Sequence, residues 1–165
     1  MNGTAQELTD RLGLVRPRLE RLAATPPPDA LTDPDARTGE RWEWGQAWAH
    51  IAEFPAYWMH QVRVSLDAPG DAPVPLGRVS SDPERIGAIE TDRHTPPALL
   101  WARVSADLDE LRTLIGELTD EQWMRLGRHS TLGVMDMPRI FHEFLVGHLE
   151  SHAEQLEGLL GAPPP

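Results

Sequence analysis

Four stretches with the apolar spacing of helices, separated by proline-rich segments, limit how this 165-residue chain can fold more than any other feature. The first predicted helix covers Thr4–Ala24, where leucines recur near helical spacing, and Pro17 should kink it or mark a restart. The second covers about Arg41–Leu66 and should bend at Pro55. The segments between the stretches are rich in proline, which is disfavoured inside helices.

Capping signals predict where the following helices begin. Asp82 precedes a proline, which is the pattern of an N-cap followed by proline at the first helical position, and it predicts a short helix. Thr95 before Pro96 repeats this pattern and predicts the start of the third long helix. Thr119, with Gln122 three residues later, resembles a capping box and predicts another short helix.

The fourth long helix should run from about Asp136 to Gly161, because the prolines that follow Gly161 cannot continue it. No segment shows convincing strand alternation. The sequence therefore predicts an all-α fold, a four-helix bundle with short helices in the crossover loops. Its length predicts one domain spanning residues 1–165.

Composition narrows the classes of partner. The formal net charge of −11 repels a phosphate backbone, so we do not expect nucleic acid to bind. No run approaches the ~20 apolar residues of a membrane span, and the N-terminus lacks a secretory signal pattern, so we expect a cytoplasmic protein without membrane contact. The chain has no cysteine, which excludes disulfides, cysteine-ligated zinc and a protein thiol nucleophile. Any thiol chemistry would need a thiol supplied from outside.

Two histidines one turn apart interrupt the apolar face of the last helix. At about 100° per residue, His148 and His152 fall on one stripe with apolar neighbours. The pair should point into the bundle, at a separation suited to one metal ion, although a hydrogen-bonded core role is the commoner fate of such a pair. The nearby HEFLVGH lacks the second histidine of the H-E-x-x-H pattern and is not a protease motif.

The second helix contributes a third candidate ligand, His50. It shares a mostly apolar stripe with four residues of that helix: Gln46, Ala47, Phe54 and Tyr57. Together with His148 and His152 it would supply three nitrogen ligands in the bundle interior. Three protein ligands leave one coordination position open, which is the arrangement of a catalytic zinc site rather than a structural one.

Three segments, WEWGQAWAHIAEF, LTDEQW and FHEFLVGHLESHAEQLEGLL, resemble the DinB-like superfamily. The chain is similar to that group's metal-dependent S-transferases, which use bacillithiol or mycothiol, and to the N-terminal domain of mycothiol-dependent maleylpyruvate isomerase. The resemblance implies a metal triad at His50, His148 and His152, although some relatives have glutamate at the position of His148. It also implies zinc or nickel as the metal, a low-molecular-weight thiol as co-substrate, and a homodimer.

On this resemblance we expect a divalent-metal-binding protein that acts as a thiol-dependent S-transferase or isomerase on small electrophiles, with the ion activating a bound thiol. A hydrolase that uses metal-bound hydroxide is one alternative. A stress-associated, dimeric binding module without turnover is another. No side chain stands out as the general base; Glu53 and Tyr57 merely lie near His50 on the helix.

The other histidines and several arginines carry weaker expectations. His60 should lie on the flank of its helix, and His94 and His129 in loops, each as a solvated or locally bonded side chain. Of these, His129 is the candidate for the edge of the site. Arginine can fork onto a substrate carboxylate, but a solvated surface position is the commoner outcome for each of four candidates: Arg63, Arg78, Arg93 and Arg139.

The back of the second helix is also apolar. Trp44 and Trp48 project away from His50, so this helix is either central in the bundle or forms a subunit interface. The loop between Asp67 and Asp82 is long for a compact bundle, and we expect either a border of the site mouth or an ordinary flexible crossover.

Overall fold

The computed structural model describes residues 3–36 and 38–161. The helices in chain order are α1 (Gly3–Ala23), α2 (Trp44–Asp67), α3 (Pro83–Asp92), α4 (Pro97–Glu117), α5 (Asp120–Trp123), α6 (Met137–Phe141) and α7 (Gly147–Gly161). A π-helical turn, His142–Val146, joins α6 to α7. The predicted all-α bundle is confirmed: α1, α2, α4 and the continuous α6–π–α7 segment are its long members, and α3 and α5 lie in the connections.

Two of the predicted helix starts are confirmed by their caps. The carboxylate of Asp82 accepts hydrogen bonds from the backbone N–H groups of the first turn of α3. Thr119 and Gln122 exchange the two hydrogen bonds of a capping box at the start of α5. Each of these caps satisfies backbone donors that would otherwise lack a partner.

The predicted start of the last helix is also confirmed, while that of the third long helix is wrong by one residue. Asp136 accepts from the backbone N–H of Arg139 and caps α6. The N-cap of α4 is Pro96 rather than Thr95. Thr95 instead directs its hydroxyl group toward a carboxylate oxygen of Asp92, at the end of α3. The last helix ends the described residues at Gly161, so the prolines beyond it lie outside them.

Prolines inside the first two helices do not interrupt them. Of the two alternatives predicted at Pro17, a kink or a restart, the restart is wrong, because α1 continues through that residue to Ala23. Likewise α2 continues through Pro55, which is buried, to Asp67. Packing of the apolar faces on the core outweighs the loss of one backbone hydrogen bond at each proline.

A small sheet corrects the expectation that the chain has no strands. Strand β1 (Val74–Leu76) pairs in parallel with β2 (Leu126–His129), which pairs in antiparallel fashion with β3 (Gly133–Asp136). Each strand has only three or four residues, which is too short for alternation to be visible in the sequence. The sheet fastens the loop between α2 and α3 to the segment that precedes α6.

Helix α2 is central in the bundle. It packs against α3, α4 and α7, and α1 packs against α4 and α7. Trp44 and Trp48, on the side of α2 away from His50, are almost completely buried within the single chain. Their apolar surface is therefore used for intrachain packing and not for a subunit interface. No helix among the described residues is long and apolar enough to cross a membrane.

Candidate metal centre

The packing of α2 against α7 brings three histidines together. His50 lies on α2, and His148 and His152 lie one turn apart on α7. One ring nitrogen from each lies within 4.8 Å of the others. The Nε2 atoms of His50 and His148 are 3.0 Å apart, close to the ~3.3 Å between two nitrogens that share a tetrahedral zinc ion. The geometry of the three rings is compatible with one metal ion.

The ring of His50 is held from behind by a carboxylate. Its Nδ1 lies 2.8 Å from Oε1 of Glu53, and Arg78 donates to the other oxygen of the same carboxylate. A carboxylate that accepts from Nδ1–H fixes the tautomer in which Nε2 has a free lone pair. The guanidinium of Arg78 also lies over the ring of Tyr57, 3.9 Å from its centroid. The side chains of Glu53 and Arg78 are about nine-tenths buried, so this orientation is protected from water.

The ring of His152 is held in an equivalent way. Its Nδ1 lies 2.8 Å from the side-chain oxygen of Gln155. An amide oxygen is an acceptor, so Nδ1 carries the proton and Nε2 is free. In both cases the partner lies three residues further along the same helix. This H-x-x-E and H-x-x-Q spacing is visible in the sequence and could have identified Glu53 and Gln155 as supporting residues.

Aromatic rings fix the planes of the imidazoles. The ring of Phe54 stacks on His148 with a centroid distance of 3.5 Å, and that of Trp42 stacks on His152 at 5.9 Å and 4°. Trp42 also meets His50 edge-on, at 4.9 Å. Ring orientation is therefore set by packing as well as by hydrogen bonds.

A π-helical turn comes directly before His148. The N–H of Gly147 donates to the carbonyl oxygen of His142, five residues back. A Cβ atom at position 147 would overlap that carbonyl oxygen, so only glycine fits there. The turn inserts one extra residue into the last helix and thereby sets the direction in which α7 presents His148 and His152.

Burial keeps the imidazoles of His50 and His152 neutral. Removal from water lowers the pKa of His50 well below its ordinary value, and the neighbouring imidazoles and Arg85 act in the same direction. Burial lowers the pKa of His152 to about 4, although its hydrogen bond to Gln155 opposes the shift. Burial also raises the pKa of Glu53, against the effect of Arg78. Neutral imidazole is the form that binds a metal.

A cavity of about 110 Å³ opens beside the three rings. Its walls come from α2, α3, α7 and two loops, and they include Trp42, Glu40, Ser80, Arg85 and Gln155. The loop between Asp67 and Asp82 therefore borders the site, through Ser80, as one of the two expectations for it stated. Sequence reasoning missed Arg85 and four wall residues of the loop before α2, because none of them has a local signal that points to the histidines: Asp35, Thr38, Glu40 and Trp42.

Most of the arginine candidates are used elsewhere. Arg63 pairs with Glu110 at 2.7 Å on the surface, and Arg93 pairs with Glu43 and Glu90. Arg139 is exposed, and none of the four arginine candidates lines the cavity. Arg78 supports the site through the carboxylate of Glu53, behind the ring of His50.

The predicted loop position of His129 is wrong, although its side chain is locally bonded, as one of the two expectations for it stated. It lies on β2 rather than in a loop, and it is 5% exposed. Its Nδ1 accepts from the backbone N–H groups of Thr131 and Leu132, so Nε2 carries a proton and donates to the carbonyl oxygen of Arg78 at 3.3 Å. The residue braces the segment that carries Arg78 and does not line the cavity. His60 and His94 are exposed, as predicted.

A four-helix bundle with histidines from two helices meeting beside a small cavity defines a class of helical proteins with a candidate metal centre between their helices. Within that class the chain belongs to the DinB superfamily, whose sequence model matches residues 4–156. The resemblance found in the sequence is thereby confirmed. No curated protein matches the chain.

Solved structures share this fold. YfiT from Bacillus subtilis, a probable metal-dependent hydrolase with an unusual four-helix bundle topology, superposes with a TM-score of 0.74 at 18% identity, over 99% of this chain and 91% of its own. Mycothiol-dependent maleylpyruvate isomerase superposes with a TM-score of 0.64 at 14% identity, over 94% of this chain. The chain spans only 63% of the isomerase. At these identities the likeness shows the fold.

Proposed function

We propose that His50, His148 and His152 hold one zinc or nickel ion, and that the chain is an enzyme acting on small electrophiles as a thiol-dependent S-transferase or isomerase. The observation that carries the proposal is the meeting of three imidazole nitrogens within 4.8 Å of one another. Two of these rings have their Nδ1 atoms committed to Glu53 and Gln155, which leaves Nε2 available.

When bound, the ion would offer an open coordination position, and a thiol bound there would lose its proton. Around it, Glu53 and Gln155 hold the rings, while Trp42 and Phe54 shield them from water. The cavity beside the rings receives the small molecule. Since the sequence contains no cysteine, the thiol must come from a co-substrate such as mycothiol or bacillithiol.

Hydrolysis is the second candidate function, with water in place of the thiol. It is favoured by the extent of the likeness to YfiT, which covers almost the whole of both chains, whereas more than a third of the isomerase has no counterpart here. The cavity of about 110 Å³ also holds a water more readily than it holds a large thiol. Both candidates use the same ion and the same three ligands.

The metal assignment is tested by elemental analysis of the purified protein by inductively coupled plasma mass spectrometry. We expect about one zinc or nickel per chain in the wild type and loss of that metal in each of His50→Ala, His148→Ala and His152→Ala. The exposed His60→Ala is the matched control and should keep the metal. A full complement of metal in the three site variants would refute the ligand assignment.

The reaction is tested next, with metal-loaded protein. Turnover of a small electrophile that requires an added thiol supports the S-transferase or isomerase, and hydrolysis without thiol supports the second candidate. Bound metal without turnover of either kind would favour the non-catalytic binding module. We also propose a homodimer formed from single-domain chains, which light scattering coupled to size-exclusion chromatography would measure directly.

A further inference from the structure

A buried cation faces the cavity beside the three histidines. Arg85, in the first turn of α3, is 8% exposed and lines the same cavity as His50, His148 and His152. Burying a guanidinium is costly unless its charge has a partner. Its Nη1 donates to the carbonyl oxygen of Ser80 at 2.7 Å, which orients the group but does not neutralise its charge.

The acidic partner of Arg85 is weakly held. Oε2 of Glu40 lies 3.5 Å from Nη2 of Arg85, beyond the usual length of a hydrogen bond, and the Glu40 side chain is 39% exposed. A pair with one exposed member contributes little to stability. Glu40 also belongs to the loop that forms one wall of the cavity, so a carboxylate entering the cavity would meet Arg85 where Glu40 now reaches it.

A tryptophan ring flanks the guanidinium of Arg85. The guanidinium carbon of Arg85 lies 5.2 Å from the ring centroid of Trp42, which in turn stacks on His152. Arginine, Trp42 and the candidate metal ligands are therefore in consecutive contact along one side of the cavity. A guanidinium presents two parallel N–H groups to a carboxylate, which gives both orientation and affinity.

We propose that Arg85 is the substrate-recognition residue of this site and that the substrate class is a small carboxylic acid, whose carboxylate displaces Glu40 from the guanidinium. The orientation of the substrate for reaction rests on the proposed function, whereas the binding of its carboxylate by Arg85 does not. The carboxylate end is held at Arg85, and the reacting end of the molecule then points along the cavity toward the three histidines.

The test uses two small probes of the same shape, propionate and its neutral counterpart propionamide. Their dissociation constants are measured by ligand-observed NMR titration, with metal-free and with zinc-loaded protein. We expect wild type to prefer propionate in both forms. Arg85→Gln should weaken propionate binding by about 10- to 100-fold, as loss of a hydrogen bond to a charged group does, and should leave propionamide unchanged. Arg63→Gln removes an exposed arginine and is the matched control.

A second variant separates recognition from a purely structural role of Arg85. Glu40→Gln removes the competing carboxylate from an exposed loop, so propionate should bind about two- to fivefold more tightly. Unchanged or weaker propionate binding in Glu40→Gln would contradict the displacement of Glu40 from Arg85 by the substrate carboxylate. A wild-type preference for propionate in Arg85→Gln would overturn the assignment.

The titrations of metal-free protein distinguish the failure of the role of Arg85 from the failure of the proposed function. If the preference for propionate appears only with zinc and survives Arg85→Gln, the ion holds the carboxylate; the role of Arg85 is then wrong and the metal site stands. If the protein binds no metal but shows the Arg85-dependent preference, the proposed function fails and the recognition role holds.

Discussion

Glu53 is the residue whose replacement tests the candidate metal centre most sharply without removing a ligand. Glu53→Gln keeps the shape of the side chain and an oxygen that can accept from Nδ1 of His50, but it removes the negative charge that Arg78 and the ring share. Partners of this kind raise the basicity of the ligand, and their replacement costs about 10- to 100-fold in metal affinity. We expect that loss for zinc in Glu53→Gln.

The expected loss of zinc affinity also predicts a smaller stabilisation of the fold by zinc. A 10- to 100-fold weaker affinity corresponds to about 1.4–2.7 kcal/mol. At free zinc well above both dissociation constants, the stabilisation by the metal falls by the same amount. For a domain of this size, about 2–4 °C accompany each kcal/mol, so the zinc-induced rise in Tm should be roughly 3–11 °C smaller than in wild type. Comparing each protein with and without zinc removes the effect of the substitution on the metal-free fold.

The assay is zinc competition with a chelating dye, followed by thermal unfolding with and without zinc. Glu157→Gln is the matched control, because Glu157 also pairs with an arginine, Arg18, but links α1 to α7 away from the histidines. That variant should bind zinc as wild type does. An affinity of Glu53→Gln indistinguishable from that of wild type would refute the argument that the carboxylate supports His50 as a metal ligand.

Three further outcomes follow from the structure. Gly147→Ala should lower Tm by several degrees and weaken zinc binding, because the added Cβ overlaps a backbone carbonyl oxygen close to His148. Gly158→Ala, whose added Cβ meets no other atom, should leave zinc binding unchanged. Thermal unfolding and dye competition measure both effects. Asp82→Ala should cost about 1 kcal/mol in chemical denaturation through loss of the α3 cap, and an unchanged midpoint would contradict the cap. The metal-free protein should lose stability as pH falls from about 6.5 to about 4, since over that range His152 becomes protonated in the unfolded chain but not in the folded one. Chemical denaturation midpoints that do not change between these pH values would contradict the burial of the ring.

Local patterns account for what could be read from the sequence. The spacing of apolar residues placed the long helices to within a few residues, and the caps at Asp82 and Thr119 marked two short ones, because a helix and its cap depend on neighbours within one or two turns. The positions of His148 and His152 on one face are local in the same sense. That these histidines bind a metal stays a prediction.

Elements without a local signature escaped the sequence. The strands are too short to alternate visibly, and the extra residue of the π-helical turn changes the register of the last helix without a change in its apolar composition. His129 was expected in a loop because β2 is formed only by its pairing with β1 and β3, which the local sequence does not show. Pairing partners distant in the chain decide such elements, so no window of neighbouring residues contains the information.

Sequence by itself determined a bundle of four long helices and the faces that their histidines occupy. Only the tertiary structure decided that α2 and α7 cross where His50 meets His148, that Arg78 reaches Glu53 from the loop before α3, and that Arg85 enters the same cavity. The physical reason is that periodicity fixes the direction of a side chain from its own helix axis. The distance between side chains on different helices depends on how the whole core packs.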